Sequence, residues 1–364
     1  MGIKTVSLFS GGGGLDLGFK QAGFDIVWAN DIDKDAVLSY EENIGKHIVL
    51  EDIKKIDKSI IPKADLIIGG PPCQSFSLVG KRNVDDERGQ LVWSYLDVIS
   101  EVRPKCFVFE NVIGLKSAKT KEGNLVIEDL IRAFKEKGYT VNWEIINAAD
   151  FGVPQRRKRI FIVGVLGENK FEFPLPTHNE NGSNNKKKWV SVHDALSDLP
   201  SPDNDGIFEY TVPPLTEYQK RIREGSKLIT EHSLPRLSDL DRVIIDHIPV
   251  GGNYMDVPDW VPSKRIKKFK QTGGRTTCYG RLIPDKPSYT INTHFNRPNV
   301  GCNIHYAEKR LITVREAMRL QGFPDSYKII STTKRGKHKI VGNAVPPILA
   351  RALAEKIKEF MIQI

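Results

Sequence analysis

Thr5-Val6-Ser7-Leu8-Phe9-Ser10-Gly11-Gly12-Gly13-Gly14-Leu15-Asp16 decides the architecture. A strand-like run over 5–9 meets four glycines, and a helical pattern over 15–22 follows. Strand, glycine turn and helix in that order open a βαβ unit, where glycine lets the chain turn tightly and lets a ligand approach the backbone. Further strand-like runs lie at 26–30, 48–50, 65–68, 106–110, 141–147 and 160–165. Helical patterns at 34–42, 91–102 and 125–137 separate them. The alternation predicts an α/β fold with a mainly parallel sheet covered by helices on both faces.

The same turn restricts the ligand. Asp31 ends the second strand, where an acid accepts hydrogen bonds from ribose hydroxyls. A dinucleotide fingerprint needs a third glycine, which would fall at Asp16 or Leu17, and an acid there repels a pyrophosphate. The Lys-Ser/Thr ending of a phosphate-binding loop is missing too. Ribose without phosphate points to S-adenosyl-L-methionine, whose cationic groups tolerate Asp16. Asp52 is placed to accept the adenine amino group, and Ile53 to pack on the ring.

A second stretch, Leu66-Ile67-Ile68-Gly69-Gly70-Pro71-Pro72-Cys73-Gln74, puts a thiol just past a strand end. That is the edge where open α/β sheets bind ligands. An isolated cysteine reads as a small buried hydrophobe, so its neighbours decide. Glu110 closes the next strand, and sequential βαβ units often set consecutive strands side by side. A thiol and a proton-holding carboxyl suit nucleophilic attack with protonation of the substrate. Gln155-Arg156-Arg157-Lys158-Arg159 precedes another strand; alternation along extended chain puts Arg157 and Arg159 on one face, suited to phosphate or a base carbonyl.

The chain of 364 residues is long enough for one large domain or two. Its net charge of +9 favours a polyanionic partner. Cys73, Cys106, Cys278 and Cys302 form no C-x-x-C pair, so neither a zinc site nor a redox motif is indicated, and no metal is expected. Such sparse cysteine fits a reducing cytosol. With neither a signal peptide nor an apolar stretch of spanning length, a cytoplasmic protein is expected. From about residue 171 the texture changes to an irregular, proline-punctuated region, with a polar linker at 179–188. Helical patterning returns at 314–320 and 347–360. Within the irregular region, Lys264, Arg265, Lys267, Lys268 and Lys270 lead into Arg275, Arg281 and Arg297, among residues able to meet phosphates and read base edges.

Taken in order, these motifs resemble the DNA cytosine-5 methyltransferases of the bacterial restriction-modification type. Phe9 to Gly14 is similar to the cofactor loop and Gly69 to Ser77 to the catalytic loop. Glu110-Asn111-Val112 resembles the glutamate motif, and Gln155 to Arg159 the Q-x-R-x-R element. Arg310-Leu311-Ile312-Thr313-Val314-Arg315-Glu316 and Gly342-Asn343-Ala344-Val345 match the last two motifs. The resemblance implies a Rossmann-like methyltransferase with a mixed sheet and a smaller target-recognition domain. It divides the chain into a catalytic and cofactor-binding part (1–173), a target-recognition region (174–307) and a C-terminal segment (308–364) returning to the catalytic domain.

It further implies that Cys73 attacks C6 of a flipped cytosine, that Glu110 protonates N3, and that Arg159 contacts O2 with Arg157 assisting. Phe9, Gly11, Gly13, Gly14, Leu15, Asp31, Ile32, Asp52, Ile53, Pro72, Leu91, Asn343 and Val345 would hold the cofactor. Gln74, Ser77, Arg88, Gln155, Arg275, Arg281 and Arg297 would meet double-stranded DNA, with 78–88 as a mobile loop closing over it. The expected protein is a monomer, with a cognate restriction endonuclease acting on the same site. A tRNA methyltransferase of the same fold is the rival enzyme; Ser75-Phe76-Ser77 after the Pro-Pro-Cys-Gln disfavours it. A catalytically silent DNA-binding regulator is the rival outside catalysis, and intact Cys73, Glu110 and Arg159 speak against it.

Overall fold

Seven strands form one mixed sheet: β1 (Lys4–Leu8), β2 (Asp25–Asp31), β3 (Ile48–Leu50), β4 (Leu66–Gly69), β5 (Cys106–Val112), β6 (Tyr139–Asn147) and β7 (Lys158–Leu166). The computed structural model describes residues 2–72, 90–120 and 123–363. Cys73, Gln74, Ser77, Arg88 and the 78–88 loop therefore lie outside the described residues. The strand order is β3-β2-β1-β4-β5-β7-β6. All pairings are parallel except those of β7, which runs antiparallel to both β5 and β6.

Every strand expected from the sequence is present, with ends shifted by at most two residues. Helices α1 (Gly14–Gln21), α2 (Lys34–Asn43), α3 (Gln90–Val102) and α4 (Val126–Glu136) also fall where the apolar periodicity puts them. Leu66, Ile67 and Ile68 of β4 are fully buried, as a strand covered on both faces requires. Two apolar clusters flank the sheet. Ile26 and Ala29 of β2 join Val37 and Tyr40 of α2 and Ile44 just past its end. Val6, Ile67 and Phe107 join residues of α3 and α4.

This topology positions the site. β1 has β2 on one side and β4 on the other, so the chain reverses its progress across the sheet there. Ligands bind at the carboxyl edge beside such a switch point. The ends of β1, β4 and β5 share that edge. Because β7 is antiparallel, its first residues, including Arg159, lie there too.

The chain divides into two units. The sheet belongs to residues 1–147, 158–175 and 349–364; the second unit comprises 148–157 and 176–348. The second is built from short helices α5 (Val192–Leu196), α6 (Glu217–Arg223), α7 (Asp239–Asp246), α8 (Lys264–Thr272), α9 (Val314–Leu320) and α10 (Lys334–Asn343). Ile244, Tyr254, Ile266 and Tyr279 are among its core residues. A last helix, α11 (Pro347–Gln363), buries Leu349, Ala350, Leu353, Ala354 and Ile357 along one face. Among the described residues no helix is long and apolar enough to cross a membrane.

Candidate active site

The glycine turn after β1 has an unusual backbone. Phe9 has a φ of 54°, a left-handed conformation that costs a non-glycine residue energy and recurs at ligand sites. Gly13, at φ 83°, caps α1; a Cβ there would come within 2.8 Å of Ile44, so only glycine fits. Gly11 faces open space: a Cβ built on it meets nothing within 4 Å. Asp31 fixes the turn, accepting from Gly11 N at 2.7 Å and from Asp33 N at 2.8 Å. Ile32 beside it is 69 % exposed, unusual for an isoleucine at a strand end. Asp52 accepts from Lys54 N at 3.0 Å and lies 3.6 Å from the Lys54 ammonium. An ionised carboxylate has about four acceptor sites, so Asp52 keeps capacity for a ligand. Leu15 is buried, Leu91 half-buried and Pro72 exposed.

Ile53 departs from expectation. It is 2 % exposed and packs in the cluster beneath the sheet, leaving almost no surface for a ring. Asp16 departs too. It is fully buried, its Oδ1 accepting from the Tyr40 hydroxyl at 2.9 Å, and Tyr40 in turn lies 3.1 Å from His47 Nε2. Burial pushes the Asp16 carboxyl up to about 6, against the opposing pull of the Ser7 and Tyr40 hydroxyls. Tyr40 and His47 have no sequence signal for this contact, because nothing in their spacing ties α2 to the turn.

The second cluster lies where β4, β5 and β7 share an edge. Glu110 Oε1 pairs with Arg159 Nε at 3.1 Å, and both side chains are 13 % exposed. Glu110 stands opposite Phe161 and Arg159 opposite Val112, so the pair is the diagonal contact of one antiparallel face. Burial lowers the Arg159 pKa and the Glu110 carboxylate opposes that shift. The carboxyl expected to hold a proton therefore stands in an ion pair. Gly70 lies against it: a Cβ there would come within 2.7 Å of Glu110 Oε2. Asn111 Nδ2 donates to Pro71 O at 3.1 Å, tying β5 to the segment two residues before Cys73. Asn111 was visible beside Glu110 in the sequence, but its reach to Pro71 was not.

Three arginine and glutamine assignments need correction. Arg157 does not share a face with Arg159. It precedes β7, is 1 % exposed, and donates to Ile291 O at 3.0 Å and Gly342 O at 2.9 Å. Gln155, expected on DNA, is fully buried; it accepts from Ile291 N at 3.0 Å and donates to Gln321 Oε1 at 2.8 Å and to Leu320 O at 3.1 Å. Together they stitch three distant segments of the second unit. Arg281, also expected on DNA, spends its guanidinium on His305 O, Ile248 O and Ala307 O. Arg275 and Arg297 are exposed. Asn343 is exposed and Val345 buried.

The Arg310–Glu316 element is architectural as well. Thr313 caps α9, with Glu316 returning to the Thr313 N–H at 2.7 Å. Arg310 grips the same carboxylate through two N–H bonds of 2.8 Å each. Burial works against that charge, yet Arg310 outweighs it and holds Glu316 at about 2. Arg319 is buried between Asp198 and Asp325. Among the described residues there is no cluster of three His, Cys, Asp or Glu that could hold a metal ion.

A family model described as C-5 cytosine-specific DNA methylase matches residues 3–359. The type II methyltransferase M.NgoFVII of Neisseria gonorrhoeae is 38% identical over 359 residues, 97% of this chain and 86% of that protein. M.MthTI of Methanothermobacter thermautotrophicus, also a type II methyltransferase, is 36% identical over 363 residues, 99% of this chain and 98% of its own. Among solved structures, a putative DNA modification methyltransferase encoded within a prophage (E. coli) superposes with a TM-score of 0.77 at 25% identity, covering 99% of each chain. The S. pombe Dnmt2 methyltransferase shares the fold, with a TM-score of 0.61 at 20% identity and 99% of each chain covered.

Proposed function

The chain belongs to the C-5 cytosine-specific DNA methylase family, and on that premise we propose that it methylates C5 of a cytosine flipped out of duplex DNA, through a covalent bond between Cys73 and C6. The observation that supports this reading most is the shared edge of β4, β5 and β7. There Glu110 pairs with Arg159 at 3.1 Å, and Asn111 ties down Pro71, two residues before the cysteine.

The chemistry follows from these groups. Cys73, as thiolate, bonds to C6, and the electron pair of the C5=C6 bond moves toward N3, where Glu110, having taken a proton from solvent as its pair with Arg159 loosens, supplies that proton. Arg159 donates to O2, which requires its pair with Glu110 to loosen as the base arrives. S-adenosyl-L-methionine supplies a methyl group activated by its sulfonium. As C5 takes the methyl group the N3 proton returns to Glu110; loss of the C5 proton to solvent water and expulsion of Cys73 as thiolate then restore the C5=C6 bond. Reaching the base costs a few kcal/mol of lost stacking, which contacts to the opened duplex must offset.

For the methyl donor, Asp31 at the end of β2 accepts from the ribose hydroxyls, and Ile32 offers an exposed apolar cover. Phe9, Gly11, Gly13, Gly14, Leu15, Asp52, Pro72 and Leu91 complete that pocket. Residues 174–307 carry target recognition, and Arg275 and Arg297 are its exposed arginines among those assigned to DNA. The type II names of the relatives support a protective role beside an endonuclease acting on the same site. The protein works as a monomer in the cytoplasm, on the nucleoid.

A covalent trap tests the reading. Duplex DNA carrying 5-fluorocytosine at the target, incubated with protein and S-adenosyl-L-methionine, yields an adduct that survives denaturation. Cys73→Ser yields none. An adduct persisting in that variant removes the nucleophile assignment, and methyl transfer into tRNA with none into DNA removes the substrate.

A further inference from the structure

The basic helix α8 contains two kinds of cation, and the difference assigns it a task. Five of its nine residues are Lys or Arg, and none is acidic. Two of the five are engaged with the protein. Arg265 Nη1 donates to the Tyr279 hydroxyl at 3.1 Å, which donates to Asp241 at 3.0 Å. Lys270 reaches Asp259 at 2.7 Å and Val257 O at 2.6 Å. Lys264, Lys267 and Lys268 are exposed, and their ammonium groups have no hydrogen-bond or ion-pair partner among the described residues.

Those three share a stripe. Spacings of three and four residues put them on one face of the helix, away from buried Ile266 and half-buried Phe269. Like charges so spaced repel. Lys264 also stands in the first turn, where the helix dipole favours anions. The neighbouring α7 follows the ordinary rule, with Asp239 and Asp241 in its first turn. So α8 keeps cations where they cost stability and lacks the acids that would offset them. A polyanion lying along the stripe relieves both penalties.

We propose that Lys264, Lys267 and Lys268 track the phosphate backbone of the DNA substrate, supplying salt-sensitive affinity without choosing the sequence. Phosphate contacts fix position and register but read no bases. The inference rests on the reading that duplex DNA is the substrate.

Its test is a triple variant of the full chain, Lys264→Gln with Lys267→Gln and Lys268→Gln. A charge-matched control, Lys55→Gln with Lys63→Gln and Lys105→Gln, removes three exposed lysines from the sheet unit. Binding to target duplex is measured between 50 and 200 mM salt, and bisulfite sequencing maps the methylated cytosines. Each lysine on a phosphate contributes about 0.9 to the log–log salt slope. If all three engage, the stripe variant loses roughly 40-fold less affinity than wild type over that range. The same cytosines are methylated, and the rate at saturating DNA is unchanged. The control keeps the wild-type slope. An unchanged slope in the stripe variant, an equal change in the control, or a relaxed set of methylated sites overturns the proposal. Failure of the wild-type protein to methylate any duplex overturns the substrate reading itself, a separate and distinguishable result.

Discussion

Two carboxyl groups, Asp16 beside the glycine turn and Glu316 at the start of α9, are equally buried and behave oppositely. Asp16 has a hydroxyl partner in Tyr40, and burial pushes it up to about 6. Glu316 is gripped by Arg310 and held at about 2 despite its burial. A buried charge that is fully paired marks architecture; one without an opposite charge marks strain near a place where ligands come. The contrast extends to the units that contain them. In the sheet unit, the Glu110–Arg159 pair sits at a strand edge suited to substrate. In the second unit Arg157, Arg281, Arg310 and Arg319 are consumed by carbonyls and carboxylates of the fold.

Substitutions can break or sharpen this division. Glu110→Gln should lower the methylation rate by about 10²–10⁴-fold, the usual worth of a general acid, while the melting temperature moves little. A large loss of stability with normal turnover would reverse its assignment. Arg310→Ala should do the opposite. It leaves Glu316 buried without its cation, at a cost of about 3–5 kcal/mol, readable by urea denaturation. Gln155→Ala strands the Ile291 N–H and the amide partners of residues 320–321, which should cost about 1–3 kcal/mol. A selective loss of DNA affinity with unchanged stability would restore the DNA-contact role for Gln155.

The smallest effects are in pH dependence, and their signs differ. Asp16 is raised from 3.8 to about 6, so the folded state holds its proton more tightly. Its contribution to stability is present below the ordinary value and is lost as pH rises through about 6. Glu316 is lowered from 4.5 to about 2, so its contribution is present above the ordinary value and is lost as pH falls toward 2. Asp16→Asn should flatten the stability profile between pH 4 and 6, and Glu316→Gln between pH 4.5 and 2. Matching profiles for the two variants would contradict the contrast.

The sheet was legible because its signals are local. Apolar runs bounded by glycine and a helix pattern between them set β1, α1 and β4, and the sequential-strand rule brought Glu110 beside the end of β4. The position of Asp31 at the end of β2 was legible too. The role of Gln155 and Arg157 was not, because their partners lie more than 130 residues away. Charge alone does not tell an arginine that meets phosphate from one that holds carbonyls together. Arg159 and Arg157, two positions apart, illustrate this: the first stands at the strand edge with Glu110, and the second is sealed among backbone groups. Ile53 was misjudged for a related reason, since an apolar side chain after a strand can serve either core or ligand.

The most direct test of the central claim is bisulfite sequencing of duplex DNA incubated with the purified protein and S-adenosyl-L-methionine. The account predicts conversion-resistant cytosines at one recurring sequence, absent when Cys73→Ser replaces the wild-type protein. Full conversion of every cytosine by the wild-type protein, or resistance that persists in the Cys73 variant, would contradict it.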